Sequence, residues 1–128
     1  MSIKVAPVGH SRILSVGTYR PKRVVPNSEI VDRIDSTDEW IQQRTGIETR
    51  RFAGDDESVI SMAKAACEMA LKRAKLTIQD IDTVILSTIS YPFQAPSAAT
   101  ELINELGNPK AAAFDISAAC AGFCYGVG

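Results

Sequence analysis

The sequence is short of the residues that most often build a metal or disulfide site. It carries one histidine, His10, and three cysteines in 128 residues. One histidine gives no Cys/His zinc spacing. Three cysteines are too few, and odd in number, for the disulfide framework of a small secreted domain. Charge of one sign is missing as well: 14 Lys and Arg stand against 15 Asp and Glu, a formal net charge of −1. That excludes a general polybasic surface, and with it nucleic acid as an expected partner, though not a local anion site. No apolar run approaches the roughly 18 residues that cross a membrane, and no apolar h-region of a signal peptide opens the chain. A membrane is therefore not an expected partner, and the expected address is the cytoplasm, with reduced thiols. Internal repeats and low-complexity tracts are absent.

What remains is an ordinary globular balance, 45% hydrophobic and 23% charged, which argues against disorder. The length suits one domain or part of one. Met1 to Gly9 reads as a loose arm. Arg12 to Tyr19 is apolar and β-prone, and Arg20-Pro21 ends it. Asn27 is a good N-cap for a short helix with Ile30, Val31 and Ile34 on one face. Ser36 and Glu39 have capping-box spacing, opening a helix through Trp40 and Arg44 that stops at Gly46. Ile47 to Ala53 alternates and is rich in arginine, which suits an exposed strand or an extended turn. From Glu57 to Lys75 apolar residues recur at 59, 60, 63, 66, 67, 70, 71 and 74, a helical period over four turns. Asp55 to Glu57 at its start and Lys72, Arg73 and Lys75 at its end suit the helix dipole. Asp82 to Ile89 reads as a strand buried on both faces, as in a parallel sheet. A helix over Ser97 to Leu106 ends at Gly107, and a strand over Ala111 to Ile116 follows. This alternation predicts an α/β layered fold, a mostly parallel sheet with helices. The apolar stretch Ala118 to Gly128 ends without a polar cap, which predicts that the chain is part of something longer.

The segment with chemistry in it runs from Phe114 to Phe123. A strand ends, the chain turns through residues with almost no side chain, and Cys120 sits at the turn where a helix is expected to start. Converging N–H groups and a helix N-terminus favour a thiolate. The same donors can hold the oxyanion of a thioester under attack. The bland alternative is a buried small hydrophobe, the commonest fate of a free cysteine. Cys67 falls on the apolar face of the long helix and reads as core. Cys124 lies one helical turn after Cys120 and reads as packing rather than as half of a redox or metal pair.

Four segments together carry a family resemblance. DISAACAGF resembles the active-site signature of β-ketoacyl-acyl carrier protein synthase III, the priming condensing enzyme of fatty-acid synthesis. SVGTYRPKRVVPNSEI resembles that family's opening strand and turn, DSTDEWIQQRTGIETRRFA its Trp/Arg block, and APSAATELINELG its third helix. The resemblance spans Arg12 to Gly128 and implies the thiolase-like fold. That fold has two pseudo-symmetric α/β halves, in a homodimer; residues 1–128 hold the N-terminal half and the C-terminal half is absent.

The resemblance implies that Cys120 is the acyl-accepting nucleophile. It implies that Trp40 stacks on the adenine of coenzyme A, that Arg44 binds the same nucleotide, and that Ser36 supplies a hydroxyl nearby. Residues 40 and 44 are one turn apart on one helix face, where an indole and a guanidinium suit a nucleotide. Ala95, before Pro96, matches a position in the floor of the acyl pocket. The implied partners are acyl-CoA as substrate and malonyl-acyl carrier protein, with no resident cofactor and no metal. The histidine and asparagine with which the family decarboxylates its extender have no counterpart: His10 does not match, nor do Asn27, Asn104 and Asn108. Polyketide-starter, quinolone-type or hydroxymethylglutaryl-CoA synthases of the same fold remain open as alternatives. So does an inactive fragment that needs a partner chain.

Overall fold

A computed structural model describes residues 12–127. His10 and the arm expected over Met1 to Gly9 lie outside that range. The described chain forms two small two-stranded sheets, each with its helices and each referred to as a lobe, and one long helix. The first lobe pairs β1 (Arg23–Pro26) antiparallel with β2 (Thr49–Phe52) and adds α1 (Asp38–Thr45). The long helix is α2 (Val59–Ala74). The second lobe pairs β3 (Thr83–Ser87) parallel with β4 (Ala112–Ile116), joined through α3 (Ala98–Leu106) and followed by α4 (Gly122–Val127). The α/β class is as expected. So is parallel pairing, made by β3 with β4; among the described residues the other strand pair, β1 with β2, is antiparallel.

Helix ends follow local chemistry. Ser58 caps α2, accepting from Ser61 N–H while the Ser61 hydroxyl accepts from Ser58 N–H. Gly46 and Gly107 end α1 and α3 in the left-handed region, at φ 69° and 87°. Glu57 does not serve the dipole of α2, because it precedes the cap. Its carboxylate instead accepts from Gly54 N–H, Lys22 N–H and the Tyr19 hydroxyl. Those bonds hold it below the usual carboxylate range.

Three expectations are corrected in the first lobe. Arg12 to Tyr19 forms no ladder; it lies across α2, where the Ser15 hydroxyl donates to Ala70 O (2.7 Å) and Arg73 donates to Val16 O (2.6 Å). The β-prone residues have a helix to lie on rather than a strand to pair with. Asn27 does not cap a helix. It is 1% exposed and uses its amide to join three elements: Nδ2 donates to Asp38 Oδ1 (2.6 Å) and Ile47 O (2.8 Å), and Oδ1 accepts from Arg50 (2.5 Å). The chain beyond it makes only two 3-10 turns, Asn27–Glu29 and Val31–Arg33. The cap of α1 is Thr37, whose hydroxyl accepts from Trp40 N–H (3.2 Å), not Ser36 with Glu39.

The core of the second lobe gathers Ile60 of α2, Leu86 of β3, and Ala98, Ala99 and Leu102 of α3, with Cys67 packed against it. Burial, aided by Glu68, pushes the Cys67 thiol up; it is a core residue, as its spacing predicts. β3 is not buried on both faces. Leu86 is covered, but Ile85 is 40% exposed and Phe114 on the neighbouring strand 47%. Helices α2 and α3 take one face of the pair, and α4 reaches the other only at its carboxyl end.

Candidate active site

The sulfur-bearing turn is built from the carboxyl end of β4. After Ile116 the chain passes Ser117 and reaches Ala119 with φ +44°, the left-handed region that favours glycine. An L-residue held there costs roughly 1–3 kcal/mol, and such strain clusters at functional sites. The strained residue immediately precedes Cys120. Ala119–Ala121 forms a 3-10 turn closed by Ala121 N–H on Ala118 O (2.9 Å), and α4 starts at Gly122. Cys120 is exposed at this bend. It therefore lies two residues before the α-helix rather than in its first turn.

What holds the turn in place is the end of β3. The Ser87 hydroxyl donates to Gly122 O (2.8 Å). A Cβ on Gly122 would stand 3.0 Å from Ser87 Cβ, and one on Gly126 3.4 Å from Ser87 Oγ. The two glycines, one helical turn apart, let α4 rest directly on the strand. Thr88 N–H donates to Ile116 O (3.2 Å), carrying the parallel ladder one residue past the end of β3. Cys120 thus stands outside the carboxyl ends of parallel strands, where such sheets bind ligands. Two open cavities border it. One is lined by Ile85, Ser87, Phe123 and Val127, the other by Ser87, Thr88 and Ile89. The second is mainly apolar, with the Ser87 and Thr88 hydroxyls at its border, which suits an acyl chain held beside a thiol; the first is of mixed character.

Cys124 does not pack against the sheet. Two residues past Gly122 it has turned about 200° around the helix axis, so the inward positions belong to Gly122 and Gly126 and Cys124 is exposed.

Trp40 and Arg44 share a face of α1, as their spacing predicts, with the guanidinium carbon 5.8 Å from the indole centroid. Both are exposed, Trp40 by 55%. Ser36 precedes the cap of the same helix, its hydroxyl 3.5 Å from Thr37 O. These three belong to the first lobe and line neither cavity at Cys120. Ala95 is exposed in the loop between β3 and α3 and lines neither cavity. Asn27 and Asn108 are buried structural amides, the latter donating to Ile78 O and Ile81 O, and Asn104 is exposed on α3. Ser87 and Asp115 escaped the sequence reading. Asp115, an acid inside the apolar run Ala-Ala-Phe-Asp-Ile, was a usable signal, because a charge there requires partners.

Among the described residues, no group of three or more His, Cys, Asp and Glu is placed to hold a metal ion, and no helix is long and apolar enough to cross a membrane.

No protein-family model matches the chain. Individual proteins do. The β-ketoacyl-[acyl-carrier-protein] synthase III of Kocuria rhizophila is 50% identical over 121 residues, covering 94% of this chain and 34% of that protein. The mycobacterial β-ketoacyl-[acyl-carrier-protein] synthase III of Mycobacterium tuberculosis is 55% identical over 116 residues, 91% of this chain and 35% of that protein. Among solved structures, the priming β-ketosynthase of the R1128 polyketide biosynthetic pathway superposes with a TM-score of 0.85 at 46% identity, over 90% of this chain and 34% of that one. The 3-oxoacyl-[acyl-carrier-protein] synthase III of Aquifex aeolicus gives 0.82 at 41% identity, over 88% and 36%. The chain spans about a third of the length of the relatives it matches. Over that third the fold is the thiolase-like α/β arrangement of these enzymes.

Proposed function

From this similarity to β-ketoacyl-[acyl-carrier-protein] synthase III, held over nine-tenths of the chain, we propose that the polypeptide carrying these residues is a priming condensing enzyme and that Cys120 is its nucleophile. The Cys120 thiolate attacks the thioester carbonyl of acyl-CoA. A C–S bond forms to Cys120, the bond to coenzyme A breaks, and coenzyme A leaves as a thiol after taking up a proton. The acyl-enzyme is then attacked by the carbanion that malonyl-acyl carrier protein yields on losing carbon dioxide. The new C–C bond releases the Cys120 sulfur. Passing through a covalent thioester divides one difficult step into two easier ones.

The observation that carries this reading is the exposed sulfur beside the strained Ala119, outside the carboxyl ends of β3 and β4. The histidine and asparagine of the condensation step belong, in this reading, to residues outside these 128. The enzyme works as a homodimer in the cytoplasm, with no resident cofactor. Incubating the natural polypeptide with acetyl-CoA and mapping the modified peptide tests the first half-reaction. The expected result is one acetyl group on the peptide containing Cys120; an adduct on Cys67 or Cys124, or none, overturns the assignment.

Trp40 and Arg44 are proposed to hold the nucleotide end of acyl-CoA, with Ser36 beside them. An indole offers a stacking face and a guanidinium a charge-assisted donor to phosphate. Trp40→Ala and Arg44→Ala are each expected to weaken acyl-CoA priming by about tenfold. Attack by malonyl-carrier on a preformed acyl-enzyme should be spared. Equal losses in both half-reactions would assign the pair to folding instead.

Ala95 is proposed as part of the acyl pocket's floor, contributed across the dimer. A small residue there leaves room, so primers longer or more branched than acetyl are accepted. Ala95→Phe is expected to shift the chain-length profile toward acetyl, read as relative acylation rates with acetyl-, butyryl- and isobutyryl-CoA. An unchanged profile removes Ala95 from the pocket.

A second reading changes the pathway and keeps the priming step. The superposition on a polyketide-priming ketosynthase favours a polyketide starter role, which presentation of fatty-acid and polyketide carrier proteins to the acyl-enzyme would distinguish.

A further inference from the structure

The loop 88–97 leaves the end of β3 and returns into α3, and both of its ends are fastened to adjacent residues of β4. At the near end Thr88 N–H donates to Ile116 O (3.2 Å). At the far end the Asp115 carboxylate accepts from Ala98 N–H and Ala99 N–H, each at 2.7 Å. Ala98 and Ala99 are 0% exposed, so water cannot replace those bonds. Within the loop Tyr91 donates to the Glu101 carboxylate and packs edge-on against Phe93, with ring centroids 5.6 Å apart. The loop therefore travels with α3. Leu102 and Ile103 bury one face of that helix but do not by themselves fix its position along its own axis. A carboxylate on its first two N–H groups does.

We propose that Asp115 is a positioning residue: by fastening the start of α3 to β4, it sets where the 88–97 loop stands, and thereby how Ala95 is presented across the dimer to the acyl pocket and which acyl groups that pocket admits. This inference rests on the reading of Cys120 as an acyl acceptor and of Ala95 as a pocket residue. Ser97 provides the control. Its hydroxyl accepts from Thr100 N–H (3.2 Å), a cap of the same helix that makes no tie to β4.

The test compares Asp115→Asn and Ser97→Ala in the natural polypeptide. In Asp115→Asn, amide exchange at Ala98 and Ala99 is expected to rise about tenfold or more, the factor of one charge-assisted hydrogen bond. The ratio of butyryl to acetyl transfer onto Cys120 should change several-fold, while iodoacetamide alkylates Cys120 at an unchanged rate. In Ser97→Ala, exchange in the first turn of α3 should also rise, but the ratio should stay that of the unsubstituted protein. Unchanged exchange at Ala98 and Ala99 in Asp115→Asn overturns the fastening. An unchanged ratio, or the same shift in Ser97→Ala, overturns the link to acyl selection and leaves Asp115 a helix cap. A natural polypeptide that takes no acyl group at Cys120 overturns the functional reading, and the selection role with it; the exchange rates still decide the fastening.

Discussion

Cys120→Ala in the natural polypeptide is expected to abolish acyl-enzyme formation, whereas Cys124→Ala and Cys67→Ala retain it. The reasoning starts from the three environments. Cys67 is packed against the core of the second lobe, and burial pushes its thiol up; it is both shielded and reluctant to ionise. Cys124 is exposed, but it sits inside α4 on the face away from β3, remote from the Ser87 and Thr88 hydroxyls that border the cavity at Cys120. Only Cys120 combines exposure with a place at the strand ends. Removing the nucleophile of a covalent mechanism costs on the order of 10⁴-fold or more. Limiting iodoacetamide should label Cys120 first, and prior incubation with acyl-CoA should protect it. Cys67→Ala is expected to lower stability by about 1 kcal/mol, since it removes only a small part of the packing. Peptide mapping and a urea midpoint read both effects; first labelling at Cys67 or Cys124 would sink the mechanism.

Gly17→Ala should be the most destabilising of the glycine substitutions among the described residues. A Cβ at Gly17 would lie 1.9 Å from Ala66 O and 2.6 Å from Ala70 N. Those two atoms belong to successive turns of α2 four residues apart, the pair that an α-helix hydrogen-bonds. Neither can retreat without opening the helix. Overpacking a tight site costs about 1–3 kcal/mol and occasionally more; an obstacle of rigid backbone puts this substitution at the upper end. Gly46→Ala is the comparison. Nothing stands within 4 Å of a Cβ there, but φ is +69°, so the cost is conformational alone, about 1–2 kcal/mol. Urea unfolding of both variants measures the difference. A Gly17→Ala no worse than Gly46→Ala would mean that the segment 12–19 lifts from α2 without loss.

The contrast between Gly17 and the strand expected around it shows where sequence reasoning ends. The period of α2 and the stops at Gly46 and Gly107 were legible, because each depends on neighbours within a turn or two. The pairing of Thr83–Ser87 with Ala112–Ile116 was legible in kind, since an apolar run followed by a helix and a second run favours a parallel crossover. Ile13, Leu14 and Val16 look like a strand for the same reason, yet whether they pair depends on what lies alongside. Asn27 has a good capping residue's chemistry, but its amide is spent on Asp38, Ile47 and Arg50, up to 23 residues away. Arg23–Pro26 was hidden as a strand because it is four residues long and its partner, Thr49–Phe52, is distant in sequence. In the candidate site, Cys120 was legible from its small neighbours. Ser87 was not, because its partner Gly122 is 35 residues distant and nothing in either local pattern announces the other.

The seating of α4 on β3 carries a consequence for how this sequence can drift. Positions 87, 122 and 126 share one narrow volume, and two of the three already hold the smallest residue there is. A gain in size at 87 cannot be answered by a loss at 122 or 126. Compensation, the usual escape of a packed pair, is closed in that direction. Position 87 is thus confined to serine, alanine and glycine for as long as the helix lies where it does. Of these only serine also carries the hydroxyl that reaches Gly122 O. Among variants of this chain, the length of the side chain at 87 should therefore report whether the turn at Cys120 is still held in its present place.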